Sequence, residues 1–199
     1  MIEAKIEKTE IEKLQNFFNA TRKELSSASN YALRETINWL KSQLVKRTAK
    51  ESQIQQKPLS QKTSKGTSRV HTSVNKTNKT ARLWFGTYRI SLARLKPRQI
   101  GKGGTKRRKN SRAGVVAGLG GSIFRQDAFL IPIRKRTGEA AIVPYQVMKR
   151  VGNKRLPIRK ETFDYSEKAI GVEKEVMSQV PNRLADTLRK KLKWQTEKS

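Results

Sequence analysis

The run Arg82-Leu-Trp-Phe-Gly-Thr-Tyr-Arg-Ile-Ser-Leu-Ala-Arg-Leu-Lys-Pro97 is the clearest strand signal in this 199-residue chain. Leu83, Phe85 and Thr87 point one way in a period-two pattern, and Trp84, Gly86 and Tyr88 point the other. Gly86 marks a bulge or a break between two strands, after which Ile90, Leu92 and Leu95 take over as the apolar positions. Upstream, residues 69–76 alternate weakly and read as a strand, with a turn at 77–80. Downstream, residues 99–112 form a Gly/Lys/Arg loop, and 114–121 read as a short strand ending in a turn. Residues 124–133, apolar around Asp127, and residues 139–148 pair about a hairpin turn at 134–138. Residues 155–159 are extended, because Pro157 disfavours helix at Leu156.

Helical periodicity brackets this region. From about Thr21 to Lys50, Leu33, Ile37, Leu40 and Leu44 recur at spacings of four, three and four, with Leu25, Ala28, Ala32 and Trp39 extending the stripe. A shorter amphipathic helix is expected before it, starting near Thr9 or Glu10. From Thr162 to Trp194, Val172, Val176, Val180, Leu184, Leu188 and Leu192 recur at spacing four, and Pro181 predicts a kink or a restart. Residues 52–68 are rich in Ser, Thr, Gln and Lys without a period, and read as a polar linker or mobile loop. The expected fold is α+β: an antiparallel β-sheet flanked by a long N-terminal helix and a C-terminal helix, with a long basic loop. One domain spans 1–199, divided into a helical segment 1–51, the linker 52–68, a sheet core 69–160 and a helix 162–195.

Charge narrows the function. Lys and Arg number 45 against 16 Asp and Glu, a net of +29. The excess is concentrated, since residues 52–126 hold eighteen basic side chains and no acidic one. Such a molecule repels its own copies unless something anionic compensates, with nucleic acid the first candidate, then anionic lipid, then acidic protein. Eight of the cations crowd into 96–112: Lys96, Arg98, Lys102, Lys106, Arg107, Arg108, Lys109 and Arg112. Pro97, Gly101, Gly103 and Gly104 forbid a regular element there. We read this loop as the nucleic-acid contact, against the alternative of a merely solvated charge run. Its Gly101-Lys-Gly-Gly-Thr-Lys lacks the Gly-x4-Gly-Lys-Ser/Thr spacing of a phosphate-binding loop.

Other chemistries are disfavoured. Without cysteine there are no disulfides, thiolate nucleophiles or Cys-based zinc sites, and the single His71 rules out a His-rich metal site. Metal-dependent nucleases and integrases need clustered carboxylates, whereas the sheet region offers Asp127 and Glu139, expected in salt bridges with neighbouring arginines. No cofactor is expected, and the chain reads as a non-enzyme. No stretch approaches a membrane span and the N-terminus lacks a signal-like apolar region, so the expected place is the cytoplasm or a particle assembled there. Trp39, Trp84 and Trp194 read as core or interface anchors rather than base-stacking platforms. With no sequence-reading motif, contact is expected with duplex DNA backbone phosphates alone.

Four segments carry a family resemblance: Gly86-Thr-Tyr-Arg-Ile-Ser-Leu-Ala-Arg-Leu95 followed by the cationic loop, Phe124-Arg-Gln-Asp-Ala-Phe129, Met148-Lys-Arg-Val-Gly-Asn-Lys-Arg-Leu-Pro-Ile158, and Val180-Pro-Asn-Arg-Leu184 with Ala185 and Leu188. Together they resemble the minor tail protein Z family of tailed bacteriophages and prophages, over about residues 82–194. The acid-rich opening 2–12 has no place in that pattern. The resemblance implies a tail completion protein of the virion neck, assembled in the host cytoplasm. It implies a homo-oligomeric ring, hexameric to match tail symmetry, meeting the tail terminator, the tail tube and head-connector proteins. The cationic loop would then hold the genome end by its phosphates. The alternative from the residues alone is a general sequence-independent nucleic-acid-binding protein of ribosomal or nucleoid type.

Overall fold

The computed structural model describes residues 2–5, 21–60, 69–101, 113–133, 145–152 and 156–197. It is an α+β fold with antiparallel sheets, a long N-terminal helix and C-terminal helices. The chain divides into two compact units: residues 1–47, 68–86 and 169–199 form the first, and 48–67 with 87–168 the second.

In the first unit, helix α1 (Arg22–Glu51, whose last turn belongs to the second unit) starts at a capping box. The Thr21 N–H donates to Glu24 Oε2 at 2.7 Å, and the Glu24 N–H donates to Thr21 Oγ1 at 3.3 Å. This reciprocal pair satisfies two donors that a helix start otherwise leaves open. The expected stripe is the buried face, with Leu33, Leu40 and Leu44 at 0% exposure. Strands β1 (Ile2–Lys5), β2 (Val70–Asn75) and β3 (Thr80–Phe85) form a sheet in the order β1-β3-β2. Strand β1 lies just before the helix expected from about residue 9, and that helix lies outside the described residues. Ile2, Ala4 and Ile6 alternate with Glu3 and Lys5, a period-two pattern that suits a strand. Asn75 Oδ1 accepts the N–H groups of Thr77 and Asn78 in the β2–β3 turn. From the same turn Lys79 (φ 50°) reaches α1, its ammonium donating to Ser26 Oγ at 2.7 Å and Asn30 Oδ1 at 3.2 Å.

The C-terminal helix restarts as expected. Helix α3 (Ser166–Met177) ends before residues 178–179, and α4 (Val180–Thr196) begins with Pro181 in its first turn, where its missing N–H costs nothing. Val180, Leu184, Leu188 and Leu192 are buried. Arg47 of α1 pairs with Glu175 of α3, and the Arg183 guanidinium of α4 lies 6.0 Å from the Trp39 ring centroid.

The second unit holds three ladders instead of one sheet. They are β4 (Ile90–Ser91) with β11 (Thr162–Phe163); β5 (Arg98–Ile100), β6 (Gly114–Ala117) and β7 (Ile123–Gln126) in that order; and β10 (Ile158–Lys160), β9 (Tyr145–Arg150) and β8 (Ala128–Pro132). Two residues interrupt expected strands. Gly86 ends β3 and is a break, its N–H donating to the Arg69 carbonyl at 2.7 Å. Asp127, at φ 63°, splits the expected strand 124–133 into β7 and β8, a left-handed position that Asp tolerates better than most residues. The return strand expected over 139–148 is described from Tyr145, and Glu139 lies outside the described residues.

The described part of the expected linker departs from that reading. After α1, Ile54 (1% exposed) and Leu59 (0%) are buried, the latter in the short helix α2 (Lys57–Ser60). Two apolar residues among many polar ones leave no period to read, yet both are core. The Gln53 carbonyl accepts the Leu119 N–H at 2.8 Å and the Ser122 hydroxyl at 3.1 Å, tying this segment to the glycine turn after β6.

Candidate nucleic-acid interface

The expected cationic loop begins on a β-hairpin. Strands β5 and β6 pair with Arg98 opposite Val116 and Ile100 opposite Gly114, and the chain between them passes through 102–112. Lys102, Lys106, Arg107, Arg108, Lys109 and Arg112 lie outside the described residues. Lys96 and Arg98 are described and exposed. They stand at the opposite end of β5 from the loop, and roughly 10 Å of strand separates Arg98 from Gly101. Of the eight cations read together in the sequence, the two that the structure describes lie at the start of this hairpin.

The hairpin is anchored by Gln99. Its Nε2 donates to the Gly114 carbonyl at 2.9 Å, and its Oε1 accepts the Leu130 N–H at 3.1 Å. One side chain thus joins the β5–β6–β7 ladder to β8. Gly114 needs the absence of a Cβ, which would fall 2.4 Å from the Arg125 carbonyl oxygen.

Two acids of this unit are held by its own cations. Glu161, 8% exposed, lies between Arg159 (Nε to Oε1, 3.3 Å) and Arg125 (Nε to Oε2, 3.6 Å). Asp164 accepts the Ser166 hydroxyl at 2.6 Å and the Ser166 N–H at 3.0 Å, opening α3, and pairs with Arg89 at 3.2 Å. These hydrogen bonds, first from the Ser166 side chain and then from its backbone, with Arg89 after them, hold the Asp164 carboxyl below its ordinary value. Neither carboxylate offsets Lys96 or Arg98.

At the foot of the hairpin a groove of ≈ 400 Å³ opens between Lys96–Arg98 and the turn 118–121. Among the described residues no acidic one lines it. The sequence placed Lys96 and Arg98 in a loop and gave no sign of the groove, because its second wall comes from beyond the loop. Among the described residues no three His, Cys, Asp or Glu side chains group as a metal site, and no helix is long and apolar enough to cross a membrane.

Two tryptophans lie on the surface. Trp84, 41% exposed, meets His71 across β2–β3 with ring centroids 5.6 Å apart. Trp194, 48% exposed, carries the Lys191 ammonium 3.6 Å from its ring centroid, and the same ammonium is 5.1 Å from that of Tyr31. Trp39 is half-buried. No family model, no curated protein and no solved structure matches this chain.

Proposed function

We propose that this chain is a structural tail completion protein of a tailed bacteriophage. In this reading it forms a ring at the head-proximal end of the tail and contacts duplex DNA backbone through the basic hairpin. The observation that carries the reading is the separation of charge: eighteen cations and no acid in residues 52–126. A polyanion met without sequence readout accounts for such a surface, because each phosphate neutralised releases counterions. The segments that resemble the minor tail protein Z family supply the particular assembly. The exposed aromatic groups at Trp84 and at Tyr31–Trp194 are suited to subunit contacts, where tryptophan and tyrosine are enriched.

The testing experiment is mass and particle shape in solution, with and without duplex DNA. Closed rings that bind DNA with a steep salt dependence support the reading. A monomer that coats DNA along its length supports a general nucleic-acid-binding protein instead.

A further inference from the structure

We infer that the groove at the foot of the β5–β6 hairpin is a preformed site for one phosphodiester group, distinct from the loop at its other end. The inference rests on the nucleic-acid reading of the hairpin and makes part of that contact a shaped site.

The geometry comes first. Four residues lining the groove have positive φ: Lys96 (52°), Gly118 (84°), Gly120 (62°) and Gly121 (79°). Such backbone is uncommon for a side chain like lysine and persists only where the surroundings hold it. The surroundings do hold it here. The Gly118 N–H donates to the Leu95 carbonyl at 2.9 Å, and the Leu119 N–H is held by Gln53, itself at φ 53°. A Cβ on Gly118 would lie 2.6 Å from Ser122 Oγ, so the turn closes tightly on glycine. At Gly120 a Cβ would meet nothing within 4 Å, which leaves its backbone open to an approaching group.

The chemistry follows from the lining. Among the described residues Lys96 and Arg98 are the charged groups that line it, both cationic, and the guanidinium fork suits phosphate oxygens. The groove is larger than a lone phosphate. Pro97 and Leu119, the latter 50% exposed, give apolar surface for the flanking sugars. A phosphodiester satisfies both features, and free phosphate only the first.

The test uses the full chain and three forms of it: wild type, Lys96→Asn/Arg98→Gln, and a loop variant with Ser at 106–109. Asn is chosen at 96 because it tolerates the left-handed backbone. Amide spectra are recorded during titration with inorganic phosphate, then with a 20-base-pair duplex added. The expected result is saturable movement of the Gly120 and Gly121 amides with phosphate in wild type and loop variant, absent in the groove variant, and replaced on adding duplex by a duplex-bound set of shifts that phosphate no longer moves. The groove variant should also lose about 0.9 of the log–log salt slope for duplex binding, the value of one phosphate contact. Between 50 and 200 mM salt this is a fall in affinity shallower by about 3.5-fold. Gly120 and Gly121 amides that ignore phosphate, or move equally in the groove variant, overturn the site even if the loop still binds duplex. Saturable phosphate binding that duplex does not displace overturns the phosphodiester assignment and leaves a free-phosphate site. Wild-type protein that ignores duplex at 50 mM salt removes the nucleic-acid reading itself, whatever phosphate does.

Discussion

Replacing Glu161 by Gln tests how the second unit holds its cations together. Glu161 is 8% exposed, and its backbone is locked on both sides: its N–H donates to the Val147 carbonyl at 2.9 Å and its own carbonyl accepts the Leu92 N–H at 3.2 Å. The side chain therefore stays in place when its charge is removed. Removing one partner of a fully buried ion pair costs about 3–5 kcal/mol. Here the two arginine side chains are 36% and 65% exposed, so water screens them and rehydrates what the glutamine leaves unpaired. Gln also keeps one acceptor for Arg159. The expected loss is about 1–2 kcal/mol, above the ordinary surface pair and below the buried one. For a chain of this length that corresponds to a fall in Tm of roughly 2–8 °C. Thermal and urea unfolding measure it, and a double-mutant cycle with Arg125→Gln isolates one pair. A Glu161→Gln variant that melts within about 1 °C of wild type would refute the argument that this carboxylate ties β7 to β10.

Leu59→Ala should cost about 2–5 kcal/mol, because Leu59 is fully buried; a loss under about 0.5 kcal/mol in urea unfolding would return residues 52–60 to the linker they resemble in sequence. Lys79→Met should cost about 1 kcal/mol by removing the ammonium's bonds to Ser26 and Asn30, and hydrogen exchange in the β2–β3 turn should rise with it. Asp164 is a depressed carboxylate, so its contribution is present above the ordinary Asp range and is lost as pH falls through its lower folded value. An Asp164→Asn variant should accordingly show a shallower acid limb of stability against pH below about 4 than wild type; superimposable limbs would contradict this. Replacing Lys106, Arg107, Arg108 and Lys109 by Ser should leave Tm unchanged and weaken duplex binding, and collapse of the fold would make that segment structural.

Local signals in the sequence were legible where periodicity and punctuation agreed. Leu33, Leu40 and Leu44 marked the buried face of α1, Gly86 marked the end of β3, and Pro181 marked the restart at α4. The unread parts depended on partners distant in sequence. One expected strand became β7 and β8 because Asp127 takes a left-handed conformation, which no neighbouring residue announces. Ile54 and Leu59 looked like strays in a polar run, and their burial depends on what the fold brings over them. Strand β1 was hidden by charge, since Glu3 and Lys5 fit a surface helix as readily as an edge strand. The groove needed both Lys96–Arg98 and the glycine turn at 118–121, twenty or so residues apart, and neither alone points to a site. The tryptophans read as core or interface anchors, and register places Trp84 on the open row with His71 and Arg82, out of the core.

Light scattering and negative-stain microscopy of the full chain, with and without duplex DNA at 50 and 500 mM salt, test the central claim most directly. The proposal predicts closed rings, with duplex binding that is strong at the lower salt and lost at the higher. A monomer at both salts, forming no ring with or without duplex and leaving the duplex unbound, would contradict it.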